Sequence, residues 1–249
     1  MDHHPESVGI VGCGRLGRLL AELLGRGFTV RVYDRDPQRI SGHAGATTLA
    51  GAAGADAVML AVPVRELPGV LAAVTPHLRP GAVVLEAGAV KTVSARLLRQ
   101  LPAGVAALPL HPLFGPSSLG EQPAGQTMVL CPVRRTPPPV TRFWEAYWTG
   151  RGFRVVRTSP SVHDRVMART LVLTQWLGRA CAGLSAGEPP FAAPSWEHLL
   201  ALMETAAGDD WATFADLQAY NPYARAERRR LRAEMARLER ELRDVPTVG

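Results

Sequence analysis

Three groups of residues have types and spacings suited to chemistry. The first is Gly12, Gly14 and Gly17, in G-x-G-x-x-G order, followed about twenty residues on by Asp34. Glycine at the first place allows a tight turn, at the second lets a pyrophosphate touch the backbone, and at the third lets a helix pack against its strand. A helix opening there offers free N–H groups to phosphates, so Cys13, Arg15 and Leu16 join the glycines as candidate contacts to a dinucleotide. Asp34 stands where a carboxylate bonds a ribose 2′-hydroxyl, which favours NAD, while the neighbouring Arg35 leaves NADP open. The second group is His111, held with Phe114 between Pro112, Gly115 and Pro116, a stiff loop after an apolar run. Histidine changes charge near neutral pH, which suits it to proton transfer. The third comprises Lys91, near Glu86, and the adjacent His163 and Asp164. Lys91 has two open roles, a contact to a substrate carboxylate or a pair with Glu86. An acid such as Asp164 in a first helical turn also stabilises the helix dipole without any catalytic part.

The surrounding pattern supplies the elements that must position these groups. Residues 8–11 read as an apolar strand before the glycine turn, and apolar positions after it recur at helical spacing. Residues 55–63 form an apolar run with the length of a buried parallel strand, ended by Pro63, with a shorter strand expected at 46–49. Val62 and Pro63 would then border the cofactor at the C-terminal edge of the sheet. Strands follow at 82–85, 105–108, 126–131 and 153–156, with helices between them. From residue 162 the pattern is helical, broken at 187–190 and at Gly208, with Asn221-Pro222 as a helix start. These spacings predict an α/β protein: an N-terminal Rossmann doubly wound sheet over residues 1–157, then a small all-helical C-terminal domain over 158–249. In the last helix Leu231, Met235, Leu238 and Leu242 alternate spacings of four and three. Such a seam suits either a partner helix, and so a homodimer, or packing on its own domain.

Composition narrows the function classes. The chain of 249 residues carries 28 Lys and Arg against 22 Asp and Glu, but the only lysine is Lys91. The arginines are spread out, and their one cluster, residues 225–243, alternates with glutamates, the pattern of a solvated helix face rather than of a nucleic-acid surface. No apolar run is long enough to cross a bilayer and the start is unlike a signal peptide, so a cytoplasmic protein is expected. Cys13, Cys131 and Cys181 lack metal-ligand spacing, so no metal is expected, and three scattered thiols suit a reducing compartment.

Taken together, GCGRLG, AVPV, GAVK, HPLFGP, HDRVMA, LTQWLGR and FADLQAYNP resemble the prephenate/arogenate dehydrogenase family, enzymes of tyrosine synthesis. HPLFGP and HDRVMA are far more specific than the glycine loop. The resemblance implies hydride transfer from C4 of a cyclohexadienyl ring to NAD(P)+ while the ring loses CO2, with His111 accepting the proton of the ring hydroxyl. The chemistry asks for such a group independently, because removing that proton as hydride departs lowers the barrier. Ala89 falls where relatives commonly carry serine near the nicotinamide. The family's second histidine is replaced by Gln175 in LTQ, an amide that bonds but does not titrate. With the substrate the resemblance associates Lys91, His111, Gly115, His163 and Gln175.

Residues 180–223 contain no arginine or lysine, in a stretch where relatives place an arginine against a substrate carboxylate, while Glu188, Glu197, Glu204, Asp209, Asp210 and Asp216 are present. A dianionic substrate then needs another cation, since an unpaired buried charge is costly. Arg165, Arg169, Arg179 and a partner's residues 225–230 are the candidates, with Arg179 included in the substrate set. A substrate bearing an amine, as arogenate or 4-amino-4-deoxyprephenate does, is the second solution. A reading from another class is a nucleotide-binding regulatory or assembly protein whose helical half only dimerises; such a module has no need of His111.

Overall fold

A computed structural model describes residues 4–115, 119, 123, 125–184, 191–243 and 245. Pro116, Glu188 and the helix break at 187–190 fall outside these residues. The chain divides into two compact units, Met1–His163 and Asp164–Gly249.

The first unit is built on a seven-stranded sheet. Its strands are β1 (Ser7–Val11), β2 (Thr29–Tyr33), β3 (Ala57–Leu60), β4 (Val83–Glu86), β5 (Ala106–Pro112), β6 (Thr127–Leu130) and β7 (Arg154–Arg157). The spatial order is β2-β1-β3-β4-β5-β6-β7, parallel throughout except where β6 runs antiparallel to β5. Between the strands lie α1 (Arg15–Gly25), α2 (Leu49–Ala53), α3 (Leu67–Val74), α4 (Lys91–Leu97) and α5 (Pro138–Thr149). Helix α1 turns Gly17, Leu20, Ala21, Leu23 and Leu24 inward and leaves Arg15, Arg18 and Glu22 outside, the spacing of a one-faced helix.

Two apolar layers result, one on each face of the sheet. One joins Ile10, Leu20, Leu24, Met59 and Leu85 to Trp144 and Trp148 of α5; the other joins Val58, Leu60 and Val84 to Leu67, Leu71, Val74 and Leu98. Trp144 and Trp148 are wholly buried, and each indole removes on the order of 200 Å² from water, which fixes α5 to the sheet. Strands covered on both faces read as continuous apolar runs, and β3 and β4 are buried at every position.

Two expectations need correction. Residues 46–49 form no strand: Ala46 makes a single bridge to Val32, and Thr48 caps α2 by accepting from the Gly51 N–H. His111 lies not in a loop but inside β5, which continues four residues past the expected end. The antiparallel partner β6 extends it, pairing Leu110 with Leu130, His111 with Val129 and Pro112 with Met128. Proline at positions 109 and 112 disguised the strand, since proline cannot donate to a ladder.

The second unit contains the last residues of α6 (Pro160–Met167), a π-helical stretch (Ala168–Val172), α7 (Leu173–Ala182), α8 (Pro194–Ala207), α9 (Trp211–Tyr220) and α10 (Ala224–Arg243). Helices α7 and α8 pack closely at Gly178, where an added Cβ would come within 2.7 Å of both the Leu202 carbonyl oxygen and the Ala206 methyl. Asn221 is buried and ties the unit together: its amide donates to the Asp164 carbonyl and its oxygen accepts from the Tyr223 N–H. No helix among the described residues is long and apolar enough to cross a membrane.

Candidate active site

The register of the parallel strands gathers the candidate residues of the first unit on one edge. Val11 lies level with Tyr33 and Leu60, Leu60 with Glu86, and Glu86 with Pro109. Gly12, Asp34, Val62, Pro63, Ala89 and His111 all follow those positions, so they share the C-terminal edge. Strand β1 feeds β2 on one side and lies beside β3 on the other; this reversal is where open α/β sheets bind ligands.

The glycine turn fits a dinucleotide. Gly12 has φ +97°, and a Cβ there would lie 2.5 Å from the Ala61 oxygen and 2.8 Å from a Val62 methyl. At Gly17 a Cβ would lie 1.9 Å from the Gly12 oxygen, so only glycine lets α1 pack this close. At Gly14, the N-cap of α1, an added Cβ would meet only the Arg39 guanidinium, at 3.8 Å, and no side chain caps the helix. The helix start therefore remains open to an anion. Arg15 is exposed, whereas Leu16 leans on the core.

Asp34 is buried and organises the turn. One oxygen accepts from the Cys13 N–H at 2.6 Å and the other from the Asp36 N–H at 2.9 Å. The Cys13 amide is thus engaged with the carboxylate. Arg35 points outward to Glu66 at 3.0 Å, while Arg39, which the sequence reading passed over, stands 3.8 Å from Asp34. A basic residue five positions beyond the acid was the available signal.

At the other end of the edge is a buried polar cluster. Lys91 opens α4 with no exposed surface, donating to the Glu86 carboxylate at 2.5 Å, the Glu86 carbonyl at 3.0 Å and the Leu110 carbonyl at 2.7 Å. Of the two contacts open to it, the structure shows the one with Glu86. The remaining Glu86 oxygen accepts from the Gly88 N–H at 2.6 Å. The ends of β4 and β5 are thereby locked together immediately before His111.

His111 is buried, and its Nδ1 lies 2.9 Å from Nε2 of His163, with the rings at 67°. Burial, then the His163 and Lys91 charges, push the His111 imidazole well below the usual histidine range, so it is neutral at pH 7. Nearby Phe114 stacks on Phe153 at 4.9 Å, which fixes the chain leaving β5 toward Gly115.

Gln175 and Arg179 belong to the second unit, one helical turn apart on α7. The Gln175 amide donates to the Asp209 carboxylate and Arg179 to the Asp209 carbonyl. The Arg179 guanidinium also lies over Phe214 at 4.7 Å and Trp211 at 6.0 Å. Oε1 of Gln175 and Nε of Arg179 are buried without a hydrogen-bond partner among the described residues. Of the other candidate cations, Arg165 lies over Tyr223, Arg169 pairs with Glu227, and Arg228 donates to Gln218. No group of three metal-ligating side chains occurs among the described residues.

A glycine turn, a buried acid just after β2 and an open helix start on the edge of a doubly wound sheet are the features of a nucleotide-binding domain, and comparison with known proteins agrees. Residues 21–157 match the family model "Prephenate dehydrogenase, nucleotide-binding domain", and residues 182–246 match "TYRAAT1-like, C-terminal domain". The chain belongs to the prephenate dehydrogenase family. It is 32% identical to the 4-amino-4-deoxyprephenate dehydrogenase of Streptomyces pristinaespiralis, over 91% of this chain and 81% of that one. A Methanocaldococcus jannaschii protein described as "Probable arogenate/prephenate dehydrogenase" is 26% identical over 86% of this chain, which spans only 51% of that protein. The fold is shared with Aquifex aeolicus prephenate dehydrogenase, solved with hydroxyphenyl propionate and NAD+ (TM-score 0.75, 21% identity, covering 96% of this chain and 92% of that one).

Proposed function

We propose that the chain oxidises a cyclohexadienyl substrate with NAD as the oxidant, with loss of CO2 as the ring becomes aromatic, and that His111 is the proton acceptor. The observation that carries this reading is His111 itself, a neutral buried imidazole on the edge that carries the nucleotide turn. The turn at Gly12, Gly14 and Gly17 and the start of α1 hold the pyrophosphate, Asp34 the ribose, and Val62, Pro63 and Ala89 border the rest of the cofactor. Nicotinamide supplies the hydride acceptor when bound. The protein positions the ring and removes the proton from the C4 substituent as hydride leaves, so that positive charge does not accumulate on the substrate. Aromatisation supplies much of the driving force, which leaves orientation as the main task of the chain.

Gln175 and Arg179 are the substrate-binding groups we assign to the helical unit, because each keeps a buried atom without a partner among the described residues. The neighbouring Asp209 would suit an amine on the substrate's side chain, as in arogenate. The Streptomyces relative instead supports 4-amino-4-deoxyprephenate, whose amine is the C4 substituent assigned to His111, as the first compound to test, ahead of arogenate and prephenate. The exposed seam of α10, Met235, Leu238 and Leu242, supports a homodimer.

The test is reduction of NAD+ or NADP+ by purified protein with each of the three compounds and product identification by mass spectrometry. Formation of the aromatic product with one of them is expected. Nucleotide binding without turnover on any would leave the regulatory or assembly reading in its place.

A further inference from the structure

We propose that His163 is a positioning residue that holds His111 in the Nδ1–H tautomer, leaving Nε2 bare as the proton acceptor. The proposal rests on the dehydrogenase reading above for its use, but not for its geometry. The 2.9 Å contact between Nδ1 of His111 and Nε2 of His163 requires one proton between two nitrogens. Two neutral arrangements satisfy it.

In the first, His111 donates from Nδ1 and its Nε2 carries a lone pair. In the second, His163 donates from Nε2, and His111 carries its own proton on Nε2. Only the first leaves His111 able to take a proton on the nitrogen away from His163. After proton uptake the His111 Nδ1–H still points at the His163 lone pair, so a neutral hydrogen bond becomes a charge-assisted one, roughly twice as strong. A neutral His163 that accepts from Nδ1–H therefore favours the protonated form, against burial, the Lys91 charge and any positive charge on His163 itself, all of which oppose it.

His163 is well built for the task. It lies in the first turn of α6 with 2% exposure, and its N–H donates to the Ser159 carbonyl at 2.9 Å. The Ser159 hydroxyl accepts from the Val162 N–H at 3.3 Å, which fixes the helix start. On the other partner, β6 on one side and the Lys91 bond to the Leu110 carbonyl on the other hold the His111 backbone.

The direct test is long-range 1H–15N correlation on the full chain labelled with [15N]histidine, with the His111 signals assigned by their loss in His111→Asn. A protonated Nδ1 and a bare Nε2 on His111 are expected; a protonated Nε2 on His111 overturns the proposal. Kinetics provide the second measurement. His163→Gln keeps an acceptor oxygen and should retain kcat within about tenfold, whereas His163→Leu should lose about a hundredfold in kcat. KM and NAD affinity should change little in either. Equal losses in both variants, or a loss confined to KM, also overturn it. If His163→Leu does not fold, the nitrogen shifts of the unmodified chain decide. The predicted tautomer without turnover on any cyclohexadienyl compound would sink the dehydrogenase reading and leave the tautomer assignment standing.

Discussion

The cluster around Lys91 and the cluster around Arg179 are both polar and partly buried, yet they are finished to different degrees. At the first, Lys91 has three acceptors, Glu86 has donors on both carboxylate oxygens, and His111 is matched to His163. At the second, the Gln175 oxygen and Arg179 Nε have no hydrogen-bond partner among the described residues. A satisfied buried network is rigid, whereas an unsatisfied group keeps its desolvation cost until something bonds it. On the proposed reading, the first cluster fixes the base and the second supplies the substrate contacts.

Breaking the first cluster should cost most. His111→Asn removes the acceptor but preserves size and polarity, so turnover should fall about a thousandfold or more, with the NAD dissociation constant unchanged in fluorescence titration. Lys91→Met leaves Glu86 buried and unpaired, which should cost about 3–5 kcal/mol in urea unfolding. Adding Glu86→Gln should recover much of that loss, since the uncompensated charge is then gone. If the double variant is no more stable than the single one, the pair acts through packing instead.

Effects at the second cluster should fall on affinity. Arg179→Leu should raise KM roughly tenfold to a hundredfold, the worth of a charged hydrogen bond, and leave kcat within a small factor. A fall in kcat with KM unchanged would remove Arg179 from the substrate set.

The smallest effect is that of pH on the first cluster. His111 is held below its ordinary pKa of about 6.5, so the unfolded chain binds its proton first as pH falls. Its contribution to stability is complete above pH about 6.5 and is lost progressively as pH drops from there toward the folded value. The acid limb of kcat should likewise lie below the ordinary histidine range, and a limb at or above pH 6.5 would contradict the buried neutral base.

How much of this was legible in the sequence depended on distance along the chain. The glycine turn, α1 and Asp34 lie within one βαβ unit, and Gly12 and Gly17 answer local steric demands, so the turn was legible from residue type and spacing alone. The pairing of His111 with His163 spans 52 positions and arises from β5 and α6 meeting; no periodicity encodes it. His111 lay in a strand hidden by Pro109 and Pro112 because the extension depends on β6, a partner absent from the local pattern. Lys91 could not be resolved from sequence because a lysine beside a turn reads the same whether it faces Glu86 or a ligand. Asp209 appeared only as one acid among several, and its place beside Gln175 required the packing of the helical unit.

Lys91 has a practical consequence beyond the site. It is the chain's single lysine, and its ammonium is wholly enclosed. Acylating reagents directed at side-chain amines can therefore reach it only when the strand ends around it open. The labelling rate of that one nitrogen, separated by mass from any reaction at the chain terminus, is thus a built-in clock for opening of the sheet edge at β4 and β5.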